Sequence, residues 1–153
     1  MKICVAGCGR WGSLISWYLA EKKNFPVTLY GRPESGHIQR FLREKRNDLL
    51  VLPESVKVST DLSCLGDADV IIISINSQAL DSFLRELAPL RLKNKIFVLC
   101  MKGIEISTGR RLSEIAKENV DPSNKVAVWL GPGHVQEFYA GIPNCMVIDS
   151  EDE

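Results

Sequence analysis

The chain has 153 residues, 45% of them hydrophobic, and its 19 basic and 19 acidic side chains give a formal net charge of zero. That length suits one domain of ordinary size, residues 1–153 as a unit. The balanced charge excludes a basic stripe for a nucleic-acid backbone and a polybasic patch for a membrane surface.

Met1-Lys2 runs straight into an apolar strand with no charged-then-apolar leader, and no apolar run approaches the roughly 20 residues of a membrane span. The expected location is cytoplasmic. Cys4, Cys8, Cys64, Cys100 and Cys145 are odd in number, contain no C-x-x-C pair and sit mostly in apolar runs, which suits a reducing compartment. The two histidines, His37 and His134, pair with no cysteine at ligand spacing, so no metal site is expected.

Residues 2–6, KICVA, form a short buried strand. After a glycine-rich turn, Trp11, Leu14, Ile15, Tyr18 and Leu19 recur at helical spacing. Residues 25–32 predict a second strand, and 36–48 a more basic helix with Ile38, Phe41 and Leu42 on one face. A short third strand falls near 55–60. DADVIIISIN (67–76) is a continuous β-branched run, the pattern of a mid-sheet strand covered on both faces.

Leu80, Phe83, Leu84 and Leu87 then fall at i, i+3, i+4 and i+7, with Pro89 where that helix stops. A strand at 95–103 follows, then a helix with Leu112, Ile115 and Ala116 inward, a strand at 125–131 and a short helical piece with Val135, Phe138 and Tyr139. CMVIDS is the last strand. This alternation predicts an α/β fold of the Rossmann type, doubly wound, with a mostly parallel sheet and helices on both faces.

Gly7, Gly9 and Gly12 stand in strand-G-x-G-x-x-G-helix order. In that order the first glycine makes the tight turn, the second admits a pyrophosphate and the third lets helix pack on strand. A turn without ligand fits the three glycines alone; the flanking strand, helix and βα units make them a dinucleotide cradle. An acidic residue about 20 positions further on would select NAD, whereas this chain has Tyr30-Gly31-Arg32. A guanidinium there can pair with the 2′-phosphate of NADP, so NAD or NADP is the expected cofactor; a solvated loop arginine is the other reading.

Ligands in open α/β sheets gather beyond the carboxyl ends of the strands. The exits Ser74-Ile75-Asn76, Met101-Lys102-Gly103 and Gly131-Pro132-Gly133 should therefore converge on one crevice. Lys102 is the cation at such an exit, placed to hydrogen-bond a carbonyl or alkoxide as hydride arrives.

GCGRWGSLISWYL, LYGR, CMKGIEISTGRRLSEI and GPGHVQEFYAGIPN together resemble the N-terminal domain of the NAD(P)-dependent glycerol-3-phosphate dehydrogenases, through nearly the whole chain. The resemblance implies reversible hydride transfer between a nicotinamide cofactor and the dihydroxyacetone phosphate/glycerol 3-phosphate pair, feeding phospholipid synthesis. It also implies cofactor contacts at Arg10, Trp11 and Arg32, contact of Lys102 with both substrate and cofactor, a substrate contact at Gly131, and Glu137 on the helix of a G-P-x-x-x-x-E motif.

Three positions depart from the family pattern. Gly133 stands where a serine or threonine usually bonds the substrate, Val135 replaces the usual alanine beside the cofactor, and Asn76 replaces the usual proline. The segment NDLLVLPESV is also shorter than the family loop. A second, acid/base lysine belongs to a helical C-terminal domain of the family, and this chain ends at DSEDE before it. The expectation is a cofactor-binding piece that turns over nothing alone, with an apolar face left exposed and a second copy of the chain as a candidate partner. A redox-inert nucleotide module, or a related dehydrogenase with another phosphorylated or hydroxy-acid substrate, are the alternatives.

Overall fold

Along the first strand, β1 (Ile3–Ala6), side chains alternate: Ile3 and Val5 enter one buried cluster while Cys4 and Ala6 enter another on the opposite face. That two-sided burial repeats in β4 (Val70–Ile73), where Ile71 and Ile73 face one way and Val70 and Ile72 the other. In the computed structural model, which describes residues 1–151, these two strands are neighbours at the centre of a sheet.

The described residues form seven strands in one sheet, ordered β3-β2-β1-β4-β5-β6-β7. β2 is Val27–Tyr30, β3 Lys57–Ser59, β5 Ile96–Leu99, β6 Lys125–Leu130 and β7 Val147–Ser150. β1 to β6 run parallel, and β7 returns antiparallel along β6 with Trp129 opposite Ile148. The chain direction of winding reverses between β1 and β4, which opens a crevice at their carboxyl ends.

Helices α1 (Arg10–Glu21) and α2 (Gly36–Glu44) bury Leu14, Ile15, Ile38 and Phe41 against one face. On the other face α3 (Leu80–Leu87) and α4 (Leu112–Asn119) bury Leu80, Phe83, Leu84, Leu87, Leu112, Ile115 and Ala116. The short α5 (Val135–Tyr139) lays Val135 and Phe138 beside the α1 cluster. This is the doubly wound α/β arrangement the alternation predicts.

The strands are shorter than the apolar runs that announce them, because residues such as Ser74 and Met101 lie past the last parallel pairing and belong to the site. Two helix faces also differ from their periodicity. Tyr18 is 42% and Leu42 44% exposed. α2 buries only Ile38 and Phe41 because the segment that follows it brings Leu50, Leu52 and Val56 into the same cluster. Among the described residues no helix is long and apolar enough to cross a membrane.

Candidate functional site

β1 ends in a turn that only glycine can make. Gly7 has φ +115°, and a Cβ there would lie 2.0 Å from the Ser74 carbonyl oxygen at the exit of β4. A Cβ on Gly12, in the first turn of α1, would lie 1.9 Å from the Gly7 carbonyl oxygen. Gly9 is different: a Cβ there meets no atom within 4 Å. Two glycines thus bring strand, helix and β4 exit into contact, and the third leaves open space above the start of α1.

Gly9 caps α1 in extended conformation, and among the described residues no side chain caps that helix. Its first-turn N–H groups and the positive end of its dipole therefore face the open space, an arrangement suited to a phosphate. Arg10 is exposed beside them. These features fit a dinucleotide pyrophosphate without any further group.

Two cavities meet at this point and share Gly9, Ser74, Ile75 and Asn76. One, about 550 Å³, extends toward β2 and is lined by Gly7, Tyr30, Gly31, Arg32, Ser35, His37 and Phe83 among others. The other, about 490 Å³, extends over β5 and β6 and is lined by Arg10, Trp11, Cys100, Met101, Lys102, Trp129, Gly131 and Gly133 among others. The three strand exits expected to converge do so. Lys102 is exposed in this second cavity.

Two aromatic residues, Trp11 and Trp129, are among its walls. The Trp11 ring lies 6.1 Å from that of Trp129 and 5.5 Å, edge-on, from that of Phe138. Burial pushes the Cys100 thiol up to about 12, against a hydrogen bond with Trp11 that lowers it. Cys100 therefore lines the cavity as a neutral thiol.

The positions that depart from the family pattern have local reasons. Asn76 Oδ1 accepts from Gln78 N–H at 2.9 Å and so caps the 3-10 turn Ser77–Ala79. A Cβ on Gly133 would fall 2.1 Å from the Phe138 ring, so that ring fills the space a side chain would take. Val135 lines neither of these two cavities and packs instead against the α1 cluster. Glu137 accepts from the Asn144 amide at 3.1 Å, tying the helix of its motif to the G-I-P-N turn.

Three residues that pattern reasoning passes over shape the site. Gln78 uses both ends of its amide on the loop after Lys102, donating to Ile104 O and accepting from Ile106 N–H, each at 2.9 Å. Asn47 donates to Ser13 Oγ at 2.9 Å and accepts from the N–H groups of Leu49 and Leu50, which ties the α2–β3 segment to α1. Glu86, on α3, receives the Arg32 guanidinium at 2.6 Å. None has periodicity or motif spacing; an isolated polar residue at an element end is their sole sequence signal.

A glycine-opened helix at the switch point of a doubly wound sheet, with one cavity on each side of it, defines a dinucleotide-binding domain. Comparison with known proteins narrows this. A family model described as NAD-dependent glycerol-3-phosphate dehydrogenase N-terminus matches residues 2–153, and the chain belongs to that family.

Among curated relatives, the glycerol-3-phosphate dehydrogenase [NAD(P)+] of Pelodictyon phaeoclathratiforme is 37% identical over 157 residues, covering 98% of this chain and 46% of the relative. That of Prosthecochloris aestuarii is 35% identical, covering 99% and 47%. A solved glycerol-3-phosphate dehydrogenase from Coxiella burnetii superposes with a TM-score of 0.89 at 26% identity, over 99% of this chain and 47% of that one. The Plasmodium falciparum enzyme, at 19% identity and a TM-score of 0.86, shares the fold. The chain spans about half the length of the curated relatives it matches.

Proposed function

We propose that this chain binds NAD or NADP across the β1/β4 switch point and forms the cofactor-binding part of a glycerol-3-phosphate dehydrogenase. The observation that carries the reading is the meeting of two cavities at Gly9, with Lys102 and Gly131 in the one over β5 and β6. Gly7 and Gly12 hold the cradle, Gly9 leaves room for the pyrophosphate, and Arg10 and Trp11 stand beside it. Arg32 and the β2-side cavity take the adenosine end.

When bound, the dinucleotide supplies or accepts the hydride. The Lys102 ammonium donates to the carbonyl oxygen of dihydroxyacetone phosphate and stabilises negative charge that grows on it during reduction to glycerol 3-phosphate. Backbone at Gly131 and Gly133 meets the substrate, and the Trp11–Trp129–Phe138 cluster keeps water from that wall of the cavity. Gln78 steadies the loop that begins at Gly103.

Five free cysteines support a reducing, cytoplasmic setting. Exposed Ile104, Ile106, Ile142, Val147 and Ile148 support a docking surface for the remainder of an enzyme or for a second copy.

The test is a fusion of this chain to the C-terminal half of the Prosthecochloris aestuarii relative, assayed for NAD(P)H-dependent reduction of dihydroxyacetone phosphate. The proposal expects turnover, and a loss of about 10²–10³ in kcat for Lys102→Ala. Cofactor binding without turnover would favour a redox-inert module, a reading supported by the side-chain space lost at Gly133 to Phe138. Turnover of other phosphorylated or hydroxy-acid compounds alone would move the substrate assignment.

A further inference from the structure

Most NAD-selective sites of this fold place a carboxylate at the end of the second strand. Here that place belongs to Gly31, and it has no room for any side chain: a Cβ would lie 2.7 Å from Cys8 Sγ and 2.9 Å from Ile38 Cβ. The next residue, Arg32, offers the guanidinium that a 2′-phosphate would use. It is not free. Arg32, which lines the β2-side cavity, donates through Nη2 to Glu86 Oε1 at 2.6 Å, reaching from the end of β2 to the last turn of α3, 54 positions along the chain.

We infer that Glu86 sets the cofactor preference of this site: from α3 it supplies the carboxylate that β2 lacks, and it disfavours a 2′-phosphate. The inference rests on the dinucleotide reading of the groove. Both side chains are substantially exposed, 41% for Arg32 and 45% for Glu86, so the pair contributes little to the stability of the fold. Its consequence is local. The carboxylate takes a guanidinium donor that a 2′-phosphate would otherwise take, and its charge repels a phosphate dianion brought alongside. A ribose 2′-hydroxyl meets neither penalty and can donate to the same carboxylate.

The buried Tyr30 at the end of β2 lies within reach of both charges. Its phenol is raised by burial and then by Glu86, with Arg32 opposing.

The chain is titrated separately with NADH and NADPH, following nucleotide fluorescence, as the unmodified protein, Glu86→Gln, Arg32→Ala and the double variant. Glu86→Gln is expected to tighten NADPH by about three- to tenfold with no gain for NADH, and Arg32→Ala in that background should abolish the gain. Circular dichroism of each variant verifies that it is folded. An unchanged NADPH to NADH ratio in Glu86→Gln, or parallel weakening of both, overturns the role of Glu86. Failure of the unmodified chain to bind either nucleotide overturns the dinucleotide reading and this inference with it.

Discussion

Gly12 and Gly7 are locked together: a Cβ on Gly12 would stand 1.9 Å from the Gly7 carbonyl oxygen, whereas a Cβ on the intervening Gly9 would touch nothing within 4 Å. The three glycines of one motif therefore fail in different ways. Gly12→Ala must push α1 off β1 and should destabilise the chain by about 1–3 kcal/mol or prevent folding. Gly9→Ala should unfold in urea within about 1 kcal/mol of the unmodified chain and still lose NADH affinity, because its methyl occupies the space left for the pyrophosphate. Urea unfolding and fluorescence titration of the two variants separate these outcomes.

Asn47 makes three side-chain hydrogen bonds, one to Ser13 Oγ on α1 and two from the N–H groups of Leu49 and Leu50. Asn47→Ala leaves those groups short of partners, and a cost of about 1–3 kcal/mol follows. The loop should exchange its amide hydrogens faster at Leu49 and Leu50, which hydrogen-exchange mass spectrometry reads directly.

The carboxylates of Asp61, Asp81 and Glu114 lie below their ordinary values, held by the Ser63 hydroxyl, Arg85 and Arg111 respectively. The folded chain thus binds these protons less tightly than the unfolded one. Their stabilisation is complete above the ordinary values of 3.8 and 4.5 and is lost as pH falls through the lowered ones. From these groups the urea midpoint should stay level from about pH 5 upward and fall below about pH 4. All three groups are at the surface, so added salt should shrink the acid loss.

The cysteines should divide by exposure. Cys145 is exposed, Cys4 and Cys8 are buried, and burial holds the Cys100 thiol up at about 12. A maleimide at pH 7.5 should label Cys145 first and spare Cys4, Cys8 and Cys100 in the folded chain. Peptide mass spectrometry after timed quenching gives the order; early labelling of Cys100 would contradict its raised thiol.

The fold was legible where one physical signal dominates. Ile71, Ile72 and Ile73 mark a central strand because burial on both faces selects β-branched residues, and Leu80, Phe83, Leu84 and Leu87 mark a helix because one face alone is buried. Leu42 misled for the converse reason: its spacing fits the apolar face, yet Leu50, Leu52 and Val56 arrive from outside the helix and fill that side of the core. The positions of the glycine turn and of Lys102 could be read from order and strand exits. Glu86 could not, because its meaning depends on Arg32 lying 54 positions away in sequence and 2.6 Å away in space. The filling of the Gly133 site by Phe138 is likewise a tertiary fact.

The central claim is that Gly9 and Lys102 face one continuous dinucleotide groove. It is tested most directly by titrating the isotopically labelled chain with NADH and following backbone amides by NMR. The account predicts saturable shifts at Gly9, Arg10, Trp11 and Gly12, at Ser74 to Asn76, and at Met101 to Gly103, with α4 and the far ends of the strands unmoved. Absence of shifts at millimolar NADH, or shifts confined to residues outside these three strand exits, would contradict it.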